Sequence, residues 1–352
     1  MIAFKDGLTI GGDSPIRVNC NIGCNKIEDI QSEISKIEFI QSCNELPDMM
    51  MDLSLIELEE PLYNYIKNNL GLPFGVVLSY HRFTKSKGYK WEDIREAFLR
   101  LCYDGVSFVT IHFTADLDLF SRANQIRKIP VTSRGGGMVL YDSRINNRTQ
   151  NIFRENIDEI ANIALKHNVV ISLGTTFRPG TILDACDSVH IEETLRQLSI
   201  CRLLQSKGVK VMVENIGHIT LDKIATHSKL LSKFNAPIMP LGPLPTDAAI
   251  NEDHVANAIG ATFAAYIGCT HIINCVTRYE HSKSAITQDA IIEAIRAAKV
   301  AAHIADLSRN INKAYLYDAF ITNNRIKEHS CLTDSNNCTR CSTVCPLKLT
   351  SI

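Results

Sequence analysis

Net charge is nearly absent from this sequence. Its 37 Lys and Arg are met by 38 Asp and Glu, leaving a formal charge of −1, so no basic field argues for nucleic acid or an anionic membrane as a partner. The first residues, "MIAFKDGLTIGGD", lack a basic segment followed by an apolar run, which sets the expectation of no signal peptide and a cytoplasmic protein. No membrane span is expected either. One long uncharged stretch, 255–276, carries Asn257, Gly260, Thr262, Gly268, Thr270, His271 and Asn274; it reads as a buried helix, a glycine stop and a buried strand. The sequence holds neither a P-loop nor a G-x-G-x-x-G fingerprint, and no convincing short-period repeat, so those nucleotide-binding loops and solenoid folds drop out.

Cysteine, by contrast, is plentiful. Of twelve, nine are scattered: Cys20, Cys24, Cys43, Cys102, Cys186, Cys201, Cys269, Cys275 and Cys331. In a long chain without an export signal these read as small buried hydrophobes in a reducing compartment. The other three, Cys338, Cys341 and Cys345, fall within eight residues of a polar tail, "NCTRCSTVCPLKLTSI". Three thiolates at such spacing can hold a [4Fe–4S] cluster with one iron left open for S-adenosylmethionine. Structural zinc is the alternative, and it needs a fourth ligand, for which Cys331 is the nearest cysteine.

Apolar residues make up 45% and charged residues 21% of the 352 positions, enough for a full core. Apolar, β-branched runs ("IRVNCNI", "MMMDLS", "FGVVLSY", "SFVTIHF", "IPVTS", "NVVISLG", "VKVMVEN", "APIMPLG", "HIINCV") alternate with amphipathic helical patterns nearly end to end. That alternation predicts an α/β fold with a parallel sheet, and the number of units predicts a (β/α)8 TIM-type barrel. After Arg309 the texture becomes polar and Asn-rich. The expected division is a barrel over 1–309, and a linker with a short C-terminal iron–sulfur tail over 310–352.

Polar residues gather where the strands finish: Asn21, Asp52, Tyr80 with His81, His112, Ser133 with Arg134, Arg178, Glu214 with His218, Asp247 and His281. In a (β/α)8 barrel the C-terminal strand ends form the active-site face; the bland alternative is that each residue only caps a strand or helix. "TSRGGGMVLYD" offers a hydroxyl, a guanidinium and glycines that let a phosphate approach the backbone, and "GTTFRPG" adds Arg178. His218 and His281 could share a divalent metal, or each could be a hydrogen-bonded loop residue.

The blocks "TSRGGG", "SLGTTFRPG", "VMVENIGH", "LGPLPTDAAINEDHVANAIGA", "CVTRYEH" and "AAKVAAHIADLSR" resemble, in order, the signatures of the phosphomethylpyrimidine synthase (ThiC) family. "RVNCNIG" and "MMMDLS" resemble its first two blocks, so the likeness runs from about Arg17 to Arg309 and resumes at the tail cysteines. The resemblance implies a radical S-adenosylmethionine carbon–carbon lyase with a (β/α)8 barrel, a cluster-bearing tail and a homodimeric assembly. It implies a reaction that rearranges 5-aminoimidazole ribotide into the pyrimidine of thiamine, with electrons from a flavodoxin- or ferredoxin-type donor. A paralogous branch makes 5-hydroxybenzimidazole, and radical chemistry on a related phosphorylated heterocycle is a further reading; a non-catalytic nucleotide- or zinc-binding barrel is the reading from another class.

Carried over residue by residue, the resemblance puts Asn21, Met51, Tyr80, His112, Ser133, Arg134, Gly135, Arg178 and Glu214 at substrate-contacting positions; among them Glu214, a carboxylate at a strand end, is the candidate catalytic residue, a proton shuttle. It makes His218 and His281 the ligands of a second metal, zinc or iron, and Cys338, Cys341 and Cys345 the cluster ligands. Some positions depart from the family pattern: three residues rather than four in the second cysteine gap, Thr175-Thr176 in place of Asp-Gly, Met239 in place of Tyr, and "ENIGH" and "AINEDH" in place of "EGPGH" and "APGYDH". These mark a divergent, short paralogue.

Overall fold

Buried on both faces, the β-branched runs of this chain pair as parallel strands. The computed structural model describes residues 1–283, 285–327, 330–332 and 338–349, and the chain forms two compact units, Met1–Ala305 and Asp306–Ile352. In the first unit a short antiparallel pair, β1 (Ile2–Ala3) and β2 (Thr9–Ile10), precedes the main sheet. That sheet has seven strands, β3 (Arg17–Ile22), β4 (Met49–Asp52), β5 (Phe74–Val77), β6 (Phe108–Ile111), β7 (Val170–Leu173), β8 (Val211–Val213) and β11 (Ile272–Asn274), in the order β11-β3-β4-β5-β6-β7-β8. Two further strands, β9 (Ile216–His218) and β10 (Leu241–Leu244), pair in parallel with each other.

Residues 237–239 join the two edges of the sheet. On one side the Val213 N–H donates to Pro237 O (2.9 Å) and the Met239 N–H to Val213 O (2.8 Å); on the other, the His271 and Ile272 N–H groups both donate to Ile238 O (2.9 and 3.2 Å). The TIM-type barrel therefore closes through one irregular position. "APIMPLG" reads as a regular strand in the sequence, but Pro237 and Pro240 lack the N–H groups a full ladder needs.

Strand alternation sorts the core into two layers. Met49, Met51, Val77, Phe108, Val170, Met212, Met239 and Ile272 form one buried cluster with Phe4 and Ile10 of the N-terminal segment. Gly75 pairs in register with Phe108, and a Cβ at Gly75 would lie 2.2 Å from that ring, so the missing side chain is what admits the phenyl group. The alternate residues, among them Ile22, Met50, Val76, Val109, Ile111, Ile171, Leu173 and Val211, join a larger cluster with helix residues such as Ile37, Ile40, Phe98, Ile160 and Leu204. Each such side chain contributes about 1.5–3 kcal/mol on burial. Further along the strands the same row as Phe108 and Met212 turns polar, at Thr110, His112 and Glu214.

The surrounding helices are α1 (Ile30–Ser42), α2 (Leu62–Tyr65), α3 (Trp91–Asp104), α4 (Leu117–Ile126), α5 (Arg134–Ile145), α6 (Ile152–Glu155), α7 (Ile157–His167), α8 (Ser188–Ser206), α9 (Leu221–Leu231), α10 (Asp253–Tyr266) and α11 (Gln288–Ser308). α3 and α7 stop on left-handed Gly105 (φ 101°) and Asn168 (φ 51°). Stretch 255–276 folds as α10, a left-handed Gly268 and β11. Among the described residues no helix is long and apolar enough to cross a membrane.

Two expectations need correction. "IPVTS" (129–133) is a loop leading into α5 and not a strand; Pro130 cannot donate, and the Lys128 and Ile129 N–H groups are taken by the Asp184 carboxylate at 2.9 Å each. In the second unit the expected linker is largely helical, since α12 spans Asn312–Lys327. Alanine, leucine, arginine and lysine along it outweigh its asparagines. A 3₁₀ turn (Ser342–Val344) and α13 (Pro346–Leu349) follow; residues 333–337 of the expected linker lie outside the described residues.

Candidate active site

Glu214 follows directly on β8, buried, with its Oε1 accepting a hydrogen bond from Thr110 Oγ1 of β6 at 2.8 Å. Burial pushes its carboxyl above the ordinary range, while the Thr110 bond and the charge of Arg178 pull the other way. Its backbone is held as firmly: Glu214 O accepts from Thr175 Oγ1 (2.6 Å) and from Gln197 Nε2 (2.9 Å). Thr175, one of the departures from the family pattern, is thus part of the frame that fixes Glu214. Met239, another, packs inside the barrel with Met51 and Met212.

His112, just past β6, shares a 2.9 Å hydrogen bond between its Nε2 and Ser133 Oγ. Burial lowers its pKa to about 3, with Arg178 adding to the effect, so the imidazole is neutral. Its Nδ1 has no partner among the described residues. Ser133 also caps α5, accepting from the Gly136 N–H at 3.1 Å. The glycines after it answer a steric demand. A Cβ at Gly135 would lie 2.5 Å from His112 Cε1, and one at Gly136 2.5 Å from Thr176 Cγ2, whereas Gly137 faces open space. Gly174 closes on the other edge of the ring, where a Cβ would lie 2.9 Å from His112 Cδ2. Small residues here bring the N-terminus of α5, with its first-turn N–H groups, onto the barrel mouth.

Arg134 opens α5, donates from Nη1 to Asn25 Oδ1 (2.9 Å) and sits with Cζ 5.4 Å from the Tyr80 ring centroid. Arg178 donates from Nη1 to Thr175 O (3.0 Å); burial lowers its proton affinity, and Glu214 and Tyr80 oppose that shift. The loop carrying Arg178 is anchored from behind by Glu193 of α8, whose carboxylate accepts from the N–H groups of Thr176 (2.7 Å) and Phe177 (2.8 Å) and from Thr114 Oγ1 (2.7 Å). Asn21 accepts from Asn19 Nδ2 at 2.8 Å. It lines, with Arg134, Leu241, Asn274 and Glu280, a cavity of about 390 Å³. Met51 is part of the apolar interior of the barrel.

His218 ends β9 and His281 follows β11; their ring centroids are 4.8 Å apart at 73°. His218 Nδ1 lies 2.6 Å from Asp247 Oδ1, and His281 Nδ1 lies 2.9 Å from Asp253 Oδ1. Asp247 is itself held by Thr181 Oγ1 (2.6 Å) and the Ile182 N–H (3.1 Å). Burial lowers the pKa of His218, with Asp247 opposing. Each imidazole therefore donates from Nδ1 to a carboxylate and keeps its Nε2 lone pair for something else, the arrangement in which ligating histidines are ordinarily held. The donor chemistry fits a divalent zinc- or iron-class ion.

Not every strand-end polar residue belongs to the site. Asp52 is a local cap, accepting from the Ser54 N–H (3.0 Å), Ser54 Oγ (2.6 Å) and the Tyr63 N–H (3.1 Å). In the second unit Cys338 and Cys345 are half-buried and Cys341 exposed, all free thiols, with Cys341 immediately before the Ser342–Val344 turn. Thr110, Glu193 and Asp253 are contributors that the strand-end reading missed. Asp253 stands in "INEDH" at the start of α10 and follows the pattern of an acid beside a helix start; Glu193 sits mid-helix in "IEETLRQL", where nothing local separates it from a solvent-facing acid.

Comparison with known proteins matches residues 4–331 to the Radical SAM ThiC family. The phosphomethylpyrimidine synthase of Sulfurisphaera tokodaii is 33% identical over 329 residues, covering 90% of this chain and 75% of that protein. The enzyme of the same name from Desulforamulus reducens is 33% identical over 326 residues, 89% of this chain and 74% of that one. Among solved structures, 3-dehydroquinate dehydratase from Geobacillus kaustophilus is 11% identical with a TM-score of 0.46, over 85% of this chain and 96% of that one.

Proposed function

The chain belongs to the Radical SAM ThiC family, and from that premise we propose that it rebuilds 5-aminoimidazole ribotide into the phosphorylated pyrimidine of thiamine, a radical carbon–carbon lyase reaction. Membership makes it an enzyme that uses S-adenosylmethionine and an iron–sulfur cluster, with a phosphorylated imidazole as substrate and a reducing partner. The observation that carries the finer reading is the assembly within one barrel unit of an anion-binding set (Ser133, Arg134, Arg178), a raised carboxyl (Glu214) and a carboxylate-oriented histidine pair (His218, His281).

In this reading the substrate phosphate is bound by the guanidinium groups of Arg134 and Arg178 with the Ser133 end of α5. Asn21, Tyr80 and Gly135 bound the imidazole, and Met51 provides an apolar floor. The neutral ring of His112 offers a hydrogen-bonding nitrogen without adding charge beside Arg178. Glu214, with a carboxyl raised by burial, accepts and returns a proton during ring rearrangement. His218 and His281 would hold a zinc- or iron-class ion, and Cys338, Cys341 and Cys345 a [4Fe–4S] cluster. When bound, the cluster supplies one-electron reductive cleavage of S-adenosylmethionine, with electrons from a flavodoxin- or ferredoxin-type donor. A homodimer is the proposed assembly.

The rival reading within the same enzyme class is conversion of the same ribotide to 5-hydroxybenzimidazole. Anaerobic turnover of the reconstituted, reduced protein with 5-aminoimidazole ribotide tests both. 5′-Deoxyadenosine with a phosphorylated pyrimidine supports the first; a bicyclic benzimidazole replaces it with the second. No 5′-deoxyadenosine from any imidazole ribotide rejects both.

A further inference from the structure

We infer that the chain carries another metal site, for a thiophilic ion of the zinc class, built from Cys186, His190 and His227 in the helical layer behind the strand that bears Glu214. A sulfur and one nitrogen from each ring lie within 4.8 Å of one another there, and the cluster is set apart in sequence from the His218/His281 pair and from the tail cysteines. It stands whether or not the proposed reaction does.

The tautomers are what make these three residues more than a polar corner of the core. Asn215 Nδ2 donates to Gln197 Oε1 (2.8 Å) and Thr194 Oγ1 (3.2 Å), which fixes its amide with Oδ1 toward the histidines. That oxygen lies 3.0 Å from His227 Nε2 and 3.4 Å from His190 Nε2. A carbonyl oxygen only accepts, so both rings carry their proton on Nε2 and present Nδ1 as a lone pair. His190 Nδ1 receives only a long bond, 3.3 Å, from the Cys186 N–H, and the Cys186 thiol donates only a long bond to Lys223 O, 3.9 Å. The rings stack with centroids 4.2 Å apart, in near-complete burial. Two imidazoles beside a thiol, each anchored through its Nε2–H to a carbonyl oxygen so that Nδ1 is the nitrogen left to bind, match the way metal-ligating histidines are held.

The backbone agrees. Cys186 holds φ at 62°, a left-handed conformation, in the turn between the Ile182–Asp184 3₁₀ helix and α8. Such a conformation is uncommon for a residue with a side chain, and here it accompanies the placement of a thiol beside two imidazoles. Coordination would draw the ligand atoms together to about 3.5 Å, the edge of a tetrahedron with bonds of ~2.0–2.3 Å. The Cys186 thiol proton leaves to solvent as the thiolate binds, and the weak Cys186 N–H bond to His190 is given up. The bound ion would tie the first turn of α8 to the middle of α9. Through Asn215 it would also brace the segment between Glu214 and His218.

The test uses the full chain with Cys338, Cys341 and Cys345 replaced by Ala, so that Cys186 reports without the tail thiols. One equivalent of Co²⁺ is expected to give a near-ultraviolet thiolate-to-metal band, lost in Cys186→Ser and retained in the His218→Ala/His281→Ala variant. Absence of the band, or its survival in a Cys186→Ser protein with native circular dichroism, overturns the proposal. Alkylation of the same tail-substituted chain gives a second reading that does not require a Cys186 variant to fold. One equivalent of Zn²⁺ is expected to slow iodoacetamide modification of Cys186 at least tenfold relative to half-buried Cys43, and an unchanged ratio overturns it.

Discussion

His218 Nδ1 and Asp247 Oδ1 are 2.6 Å apart, so the carboxylate fixes which nitrogen of the imidazole is left to bind. Asp247 is fixed in turn by Thr181 and Ile182, which makes it a positioning residue for the proposed metal ligand. Asp247→Asn keeps the size but can present an amide N–H where the imidazole needs an acceptor. We expect metal affinity at the His218/His281 site to fall about 10–100-fold, measured by competition with a chromophoric chelator. Activity should recover at high metal concentration, which a purely structural role for Asp247 would not allow.

Gly135 and Gly137 are two residues apart in one helix and should respond oppositely to a methyl group. A Cβ at Gly135 meets the His112 ring at 2.5 Å, while one at Gly137 meets nothing within 4 Å. Gly135→Ala is expected to cost about 1–3 kcal/mol through overpacking, and to reduce turnover as His112 is displaced. Gly137→Ala should raise stability by about 0.5–1 kcal/mol from helix propensity alone. Urea midpoints of the two variants give the comparison.

Glu193 introduces a pH dependence into stability. Burial raises its carboxyl from 4.5 to about 7, against the hydrogen bonds from Thr114, Thr176 and Phe177. The folded state therefore binds this proton more tightly than the unfolded chain. The stability it contributes is full below the unfolded value, near 4.5, and is lost as pH rises through about 7. Glu193→Gln cannot titrate, so its melting temperature should fall less than that of the parent between pH 5 and 8. Parallel curves for the two proteins over that window would show that Glu193 does not titrate there.

Much of this was legible in the sequence because it depends on local patterns. The apolar runs set β3 to β8 and β11, and the polar residues that follow the runs marked Glu214, His112 and Arg178. What escaped depends on distance in space. Residues 237–239 close the barrel as an irregular segment because two prolines interrupt the ladder, and "IPVTS" has strand-like composition but gives its N–H groups to Asp184. Glu193 looks like any helix acid until the Thr176 and Phe177 N–H groups are seen to meet it. Cys186, His190 and His227 read as scattered residues because only the packing of α8 against α9 and Asn215 brings them together.

Arg178 offers the sharpest separation of binding from chemistry. Its guanidinium is half-buried at the mouth beside Glu214, while Arg134 is exposed and engaged with Tyr80 and Asn25. A charge-assisted hydrogen bond from such a guanidinium to phosphate is worth roughly 1.5–3 kcal/mol, or about 10–100-fold in KM. Arg178→Ala should show that loss with the ribotide and almost none with the corresponding nucleoside, which has no phosphate to bind. Arg178→Lys should recover part of it, since an ammonium keeps the charge but not the forked geometry. Arg134→Ala should lose less, because solvent already screens its charge. Equal losses with ribotide and nucleoside would mean that Arg178 supports the loop or Glu214 instead of the phosphate, and the anion-binding role would then pass to Arg134 and the N-terminus of α5.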